Sequence, residues 1–242
     1  EALDLLSYLS NQSHIVTLQI EQARDLESLG SAALQISKVI ALLFRSGSRV
    51  GLIARLVQQL NARLFERAWQ LIAPPELVAN SCLFVMGSEG RGEQLLKTDQ
   101  DNGLVLREGY APPADLAEIC ARFSEALGQF GYPPCPGGIM LSNPAWRRSV
   151  PDFVATLRQW VWQPDGDNLM HLAIFMDAHA VAGDAKLLAQ VSDSLHQSAT
   201  DNDALLGRFA AAIDAFGSHG GWLSKLFSLG ESPAPLHLKK EG

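Results

Sequence analysis

The feature that most constrains the fold is a pair of short apolar segments, residues 83–86 and 103–106, joined by a glycine-rich and acidic stretch. Each segment has the length and the β-branched or aromatic composition of a buried strand. The first ends at Gly87 and Ser88, which open a turn that contains two further glycines. Because glycine lets the main chain approach a ligand closely, such a turn can direct N–H groups and a serine hydroxyl toward phosphate oxygens.

An Asp-x-Asp motif stands directly before the second segment. In extended backbone, residues i and i+2 project to the same side, so Asp99 and Asp101 present two carboxylates to one point while Gln100 turns away. Two aligned carboxylates suit a hard cation, and Mg²⁺ usually shares its ligands between carboxylates and substrate phosphates. The alternative is an ordinary turn followed by a solvated acidic strand end, which is how either motif would be interpreted alone.

The two motifs together resemble a known family. Gly87 and Ser88, followed after a gap by Asp99-x-Asp101, resemble the signature of the DNA polymerase β-like nucleotidyltransferase superfamily. The longer string through Asn102 resembles the branch related to the N-terminal domain of the PII-protein uridylyltransferase, a domain often found with cyclic-nucleotide-binding and CBS domains. This resemblance implies an α+β fold, close to α/β, in which helices flank a short mixed sheet. It also implies a role in bacterial signal transduction.

The resemblance assigns roles to these residues. Gly87 and Ser88 would hold a triphosphate, and Asp99 and Asp101 would bind Mg²⁺. An acidic protein also needs local positive charge to hold an anionic substrate. Arg91, inside the glycine-rich turn, is the first candidate for this contact, and Lys97 is the second.

A third carboxylate is expected farther along the chain. We predict a strand over residues 173–176 that delivers Asp177 at its end, where it would help to hold the metal and act as a base toward the attacking hydroxyl. The related branch commonly shows Phe-x-Asp-x-Arg-x-Val-x-Gly-Asp here. This chain has His179 in place of that arginine, which leaves a phosphate contact at the position open. Asp184 is the competing candidate, although its position favours the N-terminus of a helix over 185–195.

Residues 131–148 are rich in turn formers, with a possible short strand over 139–141. A long irregular segment within a domain is often functional, although a structural loop is the alternative. The segment resembles the Pro-Gly-Gly-Ile-Met-x-Ser-Asn-Pro string of the same branch. By that resemblance, four residues would line the nucleotide or acceptor cleft: Gly137, Gly138, Ser142 and Asn143.

Arginines and tryptophans beside this segment are open to two interpretations. Arg147 and Arg148 could bind triphosphate oxygens or pair with a nearby acid such as Asp152. Trp146 and Trp160 could stack on a base, but large aromatic residues more often belong to a core or an interface.

The chain divides into three predicted regions: a helical region over 1–75, a nucleotidyltransferase core over 76–200, and a C-terminal helical segment over 201–242. The helical region would be a bundle that serves as scaffold or as a coupling element for upstream domains. Helices are predicted over residues 4–28, with Gly30 ending the first, and over 32–44, 49–72, 114–130 and 150–162. We expect the sequence to be a piece of a longer protein that lacks upstream regulatory domains.

Composition limits the other classes of function. The 242 residues are 47% hydrophobic, which suffices for a globular core, and we expect no membrane-spanning segment. The formal charge of −7 makes nucleic acid an unlikely partner, because surfaces that bind nucleic acid are usually basic. The three cysteines lack metal-ligand spacing and are expected to be reduced core residues of a cytoplasmic protein.

The expected activity is therefore Mg²⁺-dependent transfer of UMP or AMP from a nucleoside triphosphate to a hydroxyl group. The resemblance implies a protein tyrosine or a small molecule as acceptor. One alternative is a regulatory nucleotide-binding module with the same fold and little or no turnover. Another is a protein-interaction scaffold.

Overall fold

The computed structural model describes residues 2–87, 97–163 and 165–200. In chain order the described elements are α1 (Ala2–Gln22), α2 (Leu26–Arg45), α3 (Val50–Ile72), α4 (Pro75–Ala79), β1 (Ser81–Val85), β2 (Asn102–Leu106), α5 (Leu116–Gln129), a 3-10 turn (Pro144–Trp146), β3 (Arg147–Ser149), α6 (Val150–Trp162), α7 (Gly166–Met176), β4 (His179–Gly183) and α8 (Ala185–Thr200).

The described strands form one mixed sheet in the order β3-β2-β1-β4. The inner strand β1 is antiparallel to both of its neighbours, and β2 is parallel to β3. The register pairs Val85 with Asn102 on one side and with His179 on the other. The predicted α+β fold, a short mixed sheet flanked by helices, is confirmed.

Both faces of the sheet are covered, which explains why β1 and β2 consist of continuous buried residues. On one face, Leu83 and Leu104 belong to a hydrophobic cluster that includes residues of α2, α3 and α5. On the other face, Phe84 packs edge-on against Phe153 of α6 and Phe175 of α7, with ring centroids 5.9 Å apart in each pair. Successive residues of β1 therefore face different helical layers.

The N-terminal helices divide at a different place from the one predicted. The helical structure is interrupted between α1 and α2 at residues 23–25. There Asp25 caps α2 by accepting a 2.8 Å hydrogen bond from the Ser28 N–H. Gly30 lies inside α2, where a Cβ would approach the Phe130 ring to 3.3 Å. The predicted end of the first helix at Gly30 is therefore wrong, because this glycine serves close packing and not termination.

Among the described helices, α2 is long and apolar enough to cross a membrane by length and composition alone. Core helices of soluble proteins pass the same test. In this structure Leu29, Ile36 and Leu43 of α2 are buried in the cluster shared with α1 and α3. Core packing thus accounts for much of the hydrophobicity of α2.

The predicted strand over residues 173–176 is also wrong. These residues form the last turns of α7, which Asp165 caps by accepting a hydrogen bond from the Asn168 N–H. Leu172 and Phe175 lie three residues apart and bury one side of the helix. A short apolar run is consistent with either a buried strand or a buried helix, so its hydrophobicity alone did not distinguish them.

The third strand lies elsewhere in the irregular segment. Residues 139–141 form no strand, and β3 is Arg147–Ser149, which pairs in parallel with Leu104–Leu106. Its three residues are only partly buried and two of them are arginines, so hydrophobic pattern did not reveal it. The proposed domain boundary at residue 75 stays a prediction.

Gly183 and Gly109 offer a matched test of sheet packing. Both have positive φ, +84° and +75°, but a Cβ on Gly183 would lie 2.1 Å from the Ser81 carbonyl oxygen, whereas one on Gly109 would meet nothing within 4 Å. We expect Gly109→Ala to lower the free energy of unfolding by about 1 kcal/mol through backbone strain alone. Gly183→Ala should lower it by about 3 kcal/mol or more, because β4 must also move away from β1. Equal losses in urea unfolding would contradict this packing.

Candidate active site

The Asp-x-Asp segment alternates in burial, as extended backbone requires. Gln100 and Asn102 are 3% and 2% exposed, whereas Asp99 and Asp101 are only partly buried. The two amides therefore face the interior, and the carboxylates take the alternate positions of the chain. The sequence analysis assigned no role to either amide beyond noting that they fit the related branch.

Gly87 lies directly against Asp101. The Met86 N–H donates to the Asp101 carbonyl oxygen at 2.9 Å, which ties the end of β1 to the start of β2. Gly87 has a φ of +59°, and a Cβ at this position would lie 2.9 Å from Asp101 Oδ2. A side chain would therefore displace the carboxylate, so the close approach requires glycine. Ser88 and Arg91 lie outside the described residues.

Asp177 follows the last turn of α7, where its N–H donates to the Ile174 carbonyl at 3.2 Å. It stands two residues before His179, which pairs with Val85, and Val85 in turn pairs with Asn102. Asp101 and Asp177 therefore lie in the two segments, leading into β2 and β4, that flank the same end of β1. The strand pairing brings these segments to one edge of the sheet.

Asp184 lies at the opposite end of β1. Its N–H donates to the Ser81 carbonyl at 2.9 Å, and its carboxylate accepts the Lys186 N–H at 3.1 Å, at the start of α8. The Arg107 guanidinium forms a 2.8 Å ion pair with this carboxylate and, as the leading cause, holds the pKa of Asp184 below its usual value. Asp184 thus has the helix-capping role that its sequence position suggested.

The donor set suits a cation that arrives with its substrate. Among residues 2–87, 97–163 and 165–200, no three His, Cys, Asp or Glu side chains lie close enough to form a metal-binding group. Mg²⁺ commonly uses one or two carboxylates and takes its other ligands from phosphates and water. Burial raises the pKa of Asp99, so its ionised form is disfavoured in the protein alone, and a bound cation would relieve that cost.

The irregular segment reaches the carboxylate side of β2 through Cys135. This thiol is 7% exposed and forms a hydrogen bond with the Asp101 side chain. Burial, followed by the Asp101 charge, raises the pKa of Cys135 to about 11. A Cβ on Gly137 would lie 3.7 Å from the Cys135 sulfur, so the Gly137–Gly138 turn follows close to the same contact.

The remaining loop residues hold the turn in shape. Asn143 Nδ2 donates to the Gly138 carbonyl at 2.9 Å, while its Oδ1 accepts the Ala145 N–H at 3.0 Å. Arg147 donates to the carbonyls of Leu141 and Ser142 at 3.1 and 2.8 Å. The Arg147 guanidinium is therefore engaged in fixing the loop that precedes it.

The family profile described as "Putative nucleotidyltransferase DUF294" matches residues 34–167, which is more than half of the chain. The chain belongs to this nucleotidyltransferase family. The matched region contains Gly87, the Asp99–Asp101 pair and the loop through Asn143, and it ends before Asp177. Neither a curated protein nor a solved structure gave a significant match. A nearer relationship to the PII-protein uridylyltransferase stays a proposal.

In this DUF294 nucleotidyltransferase, Lys97 is directed toward the helices. Its ammonium donates to the carbonyls of Ala33 in α2 and Phe130 after α5, and it lies 5.3 Å from the centre of the Tyr132 ring. Burial lowers its pKa. A contact between Lys97 and a triphosphate would require these bonds to be released.

Trp146 and Trp160 of the nucleotidyltransferase pack with His171 of α7. Trp146 is 3% exposed, and its ring lies 5.7 Å from Trp160 and 5.6 Å from His171. Trp160 and His171 are 5.1 Å apart. Trp146 therefore packs as a core residue beside α6 and α7, which favours the core interpretation over base stacking for this side chain.

The contact between Cys135 and Asp101 can be tested by thiol labelling. Asp101→Asn removes the charge that opposes the thiolate, so the pKa of Cys135 should fall below about 11 and labelling near pH 8.5 should accelerate. Cys120 is an internal control, because its pKa is also about 11 but its thiol bonds to Arg147. Mass spectrometry distinguishes the two cysteines. Unchanged labelling of Cys135 relative to Cys120 would contradict the contact.

Proposed function

We propose that this nucleotidyltransferase moves a nucleoside monophosphate, UMP or AMP, from a nucleoside triphosphate to a hydroxyl group in a Mg²⁺-dependent reaction. The observation that carries the proposal is the contact between Gly87 and the Asp101 carboxylate at the end of β1. It joins the start of the glycine-rich turn to the Asp-x-Asp pair. The family match supports nucleotidyl transfer in general, and the uridylyltransferase-like substrate is the finer part of the proposal.

The residues divide between phosphate binding and carboxylate chemistry. Gly87 and Ser88 bind the triphosphate through the turn, with Arg91 as an additional cationic contact. Asp99 and Asp101 would be the carboxylates that hold Mg²⁺, and Asp177, which lies between α7 and β4, would serve as the base toward the acceptor hydroxyl. When bound, Mg²⁺ supplies charge neutralisation at the phosphate oxygens.

The chain's own residues then organise an in-line displacement. Asp177 accepts the proton of the acceptor hydroxyl, whose oxygen forms a bond to the α-phosphorus. The bond from the α-phosphorus to the bridging oxygen breaks, and pyrophosphate leaves with that electron pair. Correct placement of the two reactants lowers the barrier by removing translational and rotational freedom beforehand.

The loop of Gly137, Gly138, Ser142 and Asn143 forms one wall of the proposed cleft. Cys135 and Gly137 place it on the carboxylate side of β2, and Asn143 and Arg147 hold its shape. The acceptor, a protein tyrosine or a small molecule, would enter along this wall. Free, buried cysteines favour a reducing compartment, so we extend the proposal to a cytoplasmic protein.

Labelled nucleotides test the proposal directly. The protein is incubated with Mg²⁺ and each α-labelled nucleoside triphosphate, with and without a cell lysate as the source of acceptor, and pyrophosphate release is measured. We expect UTP or ATP to react, and the double variant Asp99→Asn/Asp101→Asn to lose about 10³-fold or more of the rate, because both charged ligands are removed. Nucleotide binding without turnover would instead support a regulatory nucleotide-binding module, and no Mg²⁺-dependent binding would exclude both functions.

Asp177 and Asp184 form a matched pair for the third carboxylate. Asp177→Asn should lower kcat by about 10² to 10⁴-fold, the usual contribution of a general base. Asp184→Asn should retain kcat, because it removes an ion pair with Arg107 at the far end of β1. Its effect should be confined to the free energy of unfolding. A reversed order of the two kcat values would assign the third carboxylate to Asp184.

A further inference from the structure

The inward side of the Asp-x-Asp segment carries two neutral amides where a buried strand normally carries apolar residues. Gln100 and Asn102 are 3% and 2% exposed. Burying an amide costs free energy unless hydrogen bonds replace its lost contacts with water. The hydrogen bonds that these two side chains make therefore indicate what the buried amides do.

Gln100 joins the segment to α5 and to the residues that follow this helix. Its side-chain Nε2 donates to the carbonyls of Ser124 and Tyr132 at 2.9 and 2.8 Å, and its main-chain N–H donates to the Pro133 carbonyl at 2.9 Å. Three donors of one residue thus engage α5 and the first residues of the following loop. A methionine of the same length would lose both side-chain bonds and leave the main-chain bond.

Asn102 binds the same loop farther along. Its main-chain N–H donates to the Ile139 carbonyl at 3.0 Å, and its side-chain Oδ1 accepts the Leu141 N–H at 3.0 Å. The two groups of Asn102 therefore hold residues on both sides of Met140. Together, Gln100 and Asn102 attach the loop along the inner side of the segment at both of its ends.

The outward side of the segment meets the same loop from the other direction. The Asp101 carboxylate accepts a hydrogen bond from the Cys135 thiol and lies against Gly87. Because alternate residues of an extended chain point to opposite sides, fixing the amides inward also fixes the directions of the Asp99 and Asp101 carboxylates. The loop thus contacts the segment on both sides, at Asp101 through Cys135 and at the two amides through their hydrogen bonds.

We propose that Gln100 and Asn102 are positioning residues of the active site, which aim the Asp99 and Asp101 carboxylates by binding the 132–143 loop to the opposite side of the Asp-x-Asp segment. This inference rests on the proposed nucleotidyl transfer. If it is right, removing the side-chain hydrogen bonds of Gln100 or Asn102 weakens Mg²⁺–nucleotide binding and lowers kcat. These losses should exceed what the accompanying fall in the free energy of unfolding explains.

The test compares variants of the full chain. Gln100→Met removes two donors at constant length, and Asn102→Leu removes the acceptor of the Leu141 N–H. Ser81→Ala is the matched control, because its buried hydroxyl donates a 2.6 Å hydrogen bond to the Leu77 carbonyl at the other end of β1. Mg²⁺-dependent binding of UTP and ATP is measured by calorimetry, kcat and KM by pyrophosphate release, and stability by urea unfolding.

We expect Gln100→Met and Asn102→Leu to weaken Mg²⁺–nucleotide binding by about 10 to 100-fold and to lower kcat, in the range found for residues that orient metal ligands. Ser81→Ala should lose stability without a change in binding. Wild-type binding and kcat in Gln100→Met and Asn102→Leu would overturn the proposal.

A second readout separates this inference from the proposed function. The side-chain carboxyl ¹³C resonances of Asp99 and Asp101 report carboxylate orientation without any substrate. They should shift in Gln100→Met and Asn102→Leu and remain unchanged in Ser81→Ala, and Asn102→Leu should also lose hydrogen-exchange protection of the Leu141 N–H. If the wild type binds no nucleotide, the function fails while these shifts still support the positioning role. Unshifted resonances would overturn that role even in an active enzyme.

Discussion

The site depends on the pairing of β1 with a strand on each side. Val85 pairs with Asn102 of β2 and His179 of β4. Asp101 stands one residue before Asn102 and Asp177 two residues before His179, so the two aspartates come from segments far apart in sequence. The strand itself is held because both of its faces are buried under helices. A fully covered strand thus provides a fixed position at which Gly87 and two acidic segments are brought together.

The two ends of β1 carry different groups. The end of β1 near Val85 carries the Asp-x-Asp pair, Gly87 and the loop that reaches Asp101 through Cys135. The other end carries Asp184, whose carboxylate is engaged by Arg107 and by the start of α8. The aspartates at the two ends of β1 therefore differ in surroundings. Asp184 is paired for structure, and the other end includes Asp99, whose charge is disfavoured by burial.

Buried and half-buried polar residues of this enzyme hold the irregular loop between α5 and β3. The loop between α5 and β3 has little regular structure, so its main-chain groups need partners other than a sheet ladder. Gln100, Asn102, Asn143 and Arg147 supply them, each through bonds to loop carbonyls or N–H groups. The Arg147 guanidinium thus binds loop carbonyl oxygens, although the sequence also suggested a contact with triphosphate.

The elements that could be predicted are those fixed by the local sequence pattern, and those that depend on partners distant in sequence could not be predicted. The apolar segments of β1 and β2, the long helix α3 and the alternation of Asp99 and Asp101 were predicted, because strand and helix periodicities are local properties. The α7 helix was mistaken for a strand, because its apolar residues suit either structure. The β3 strand was missed because its pairing with β2, and not its own hydrophobicity, makes it a strand.

The sequence by itself determined the family and the carboxylate pair, since the residues that indicate them lie within a single stretch whose spacing carries the information. Only the tertiary structure decided that Asp177 shares an edge with Asp101, that Asp184 does not, and that Gln100 and Asn102 bind a loop more than thirty residues away. The physical reason is that strand register and buried hydrogen bonds join residues distant in sequence, and a local pattern contains no record of which partners they select.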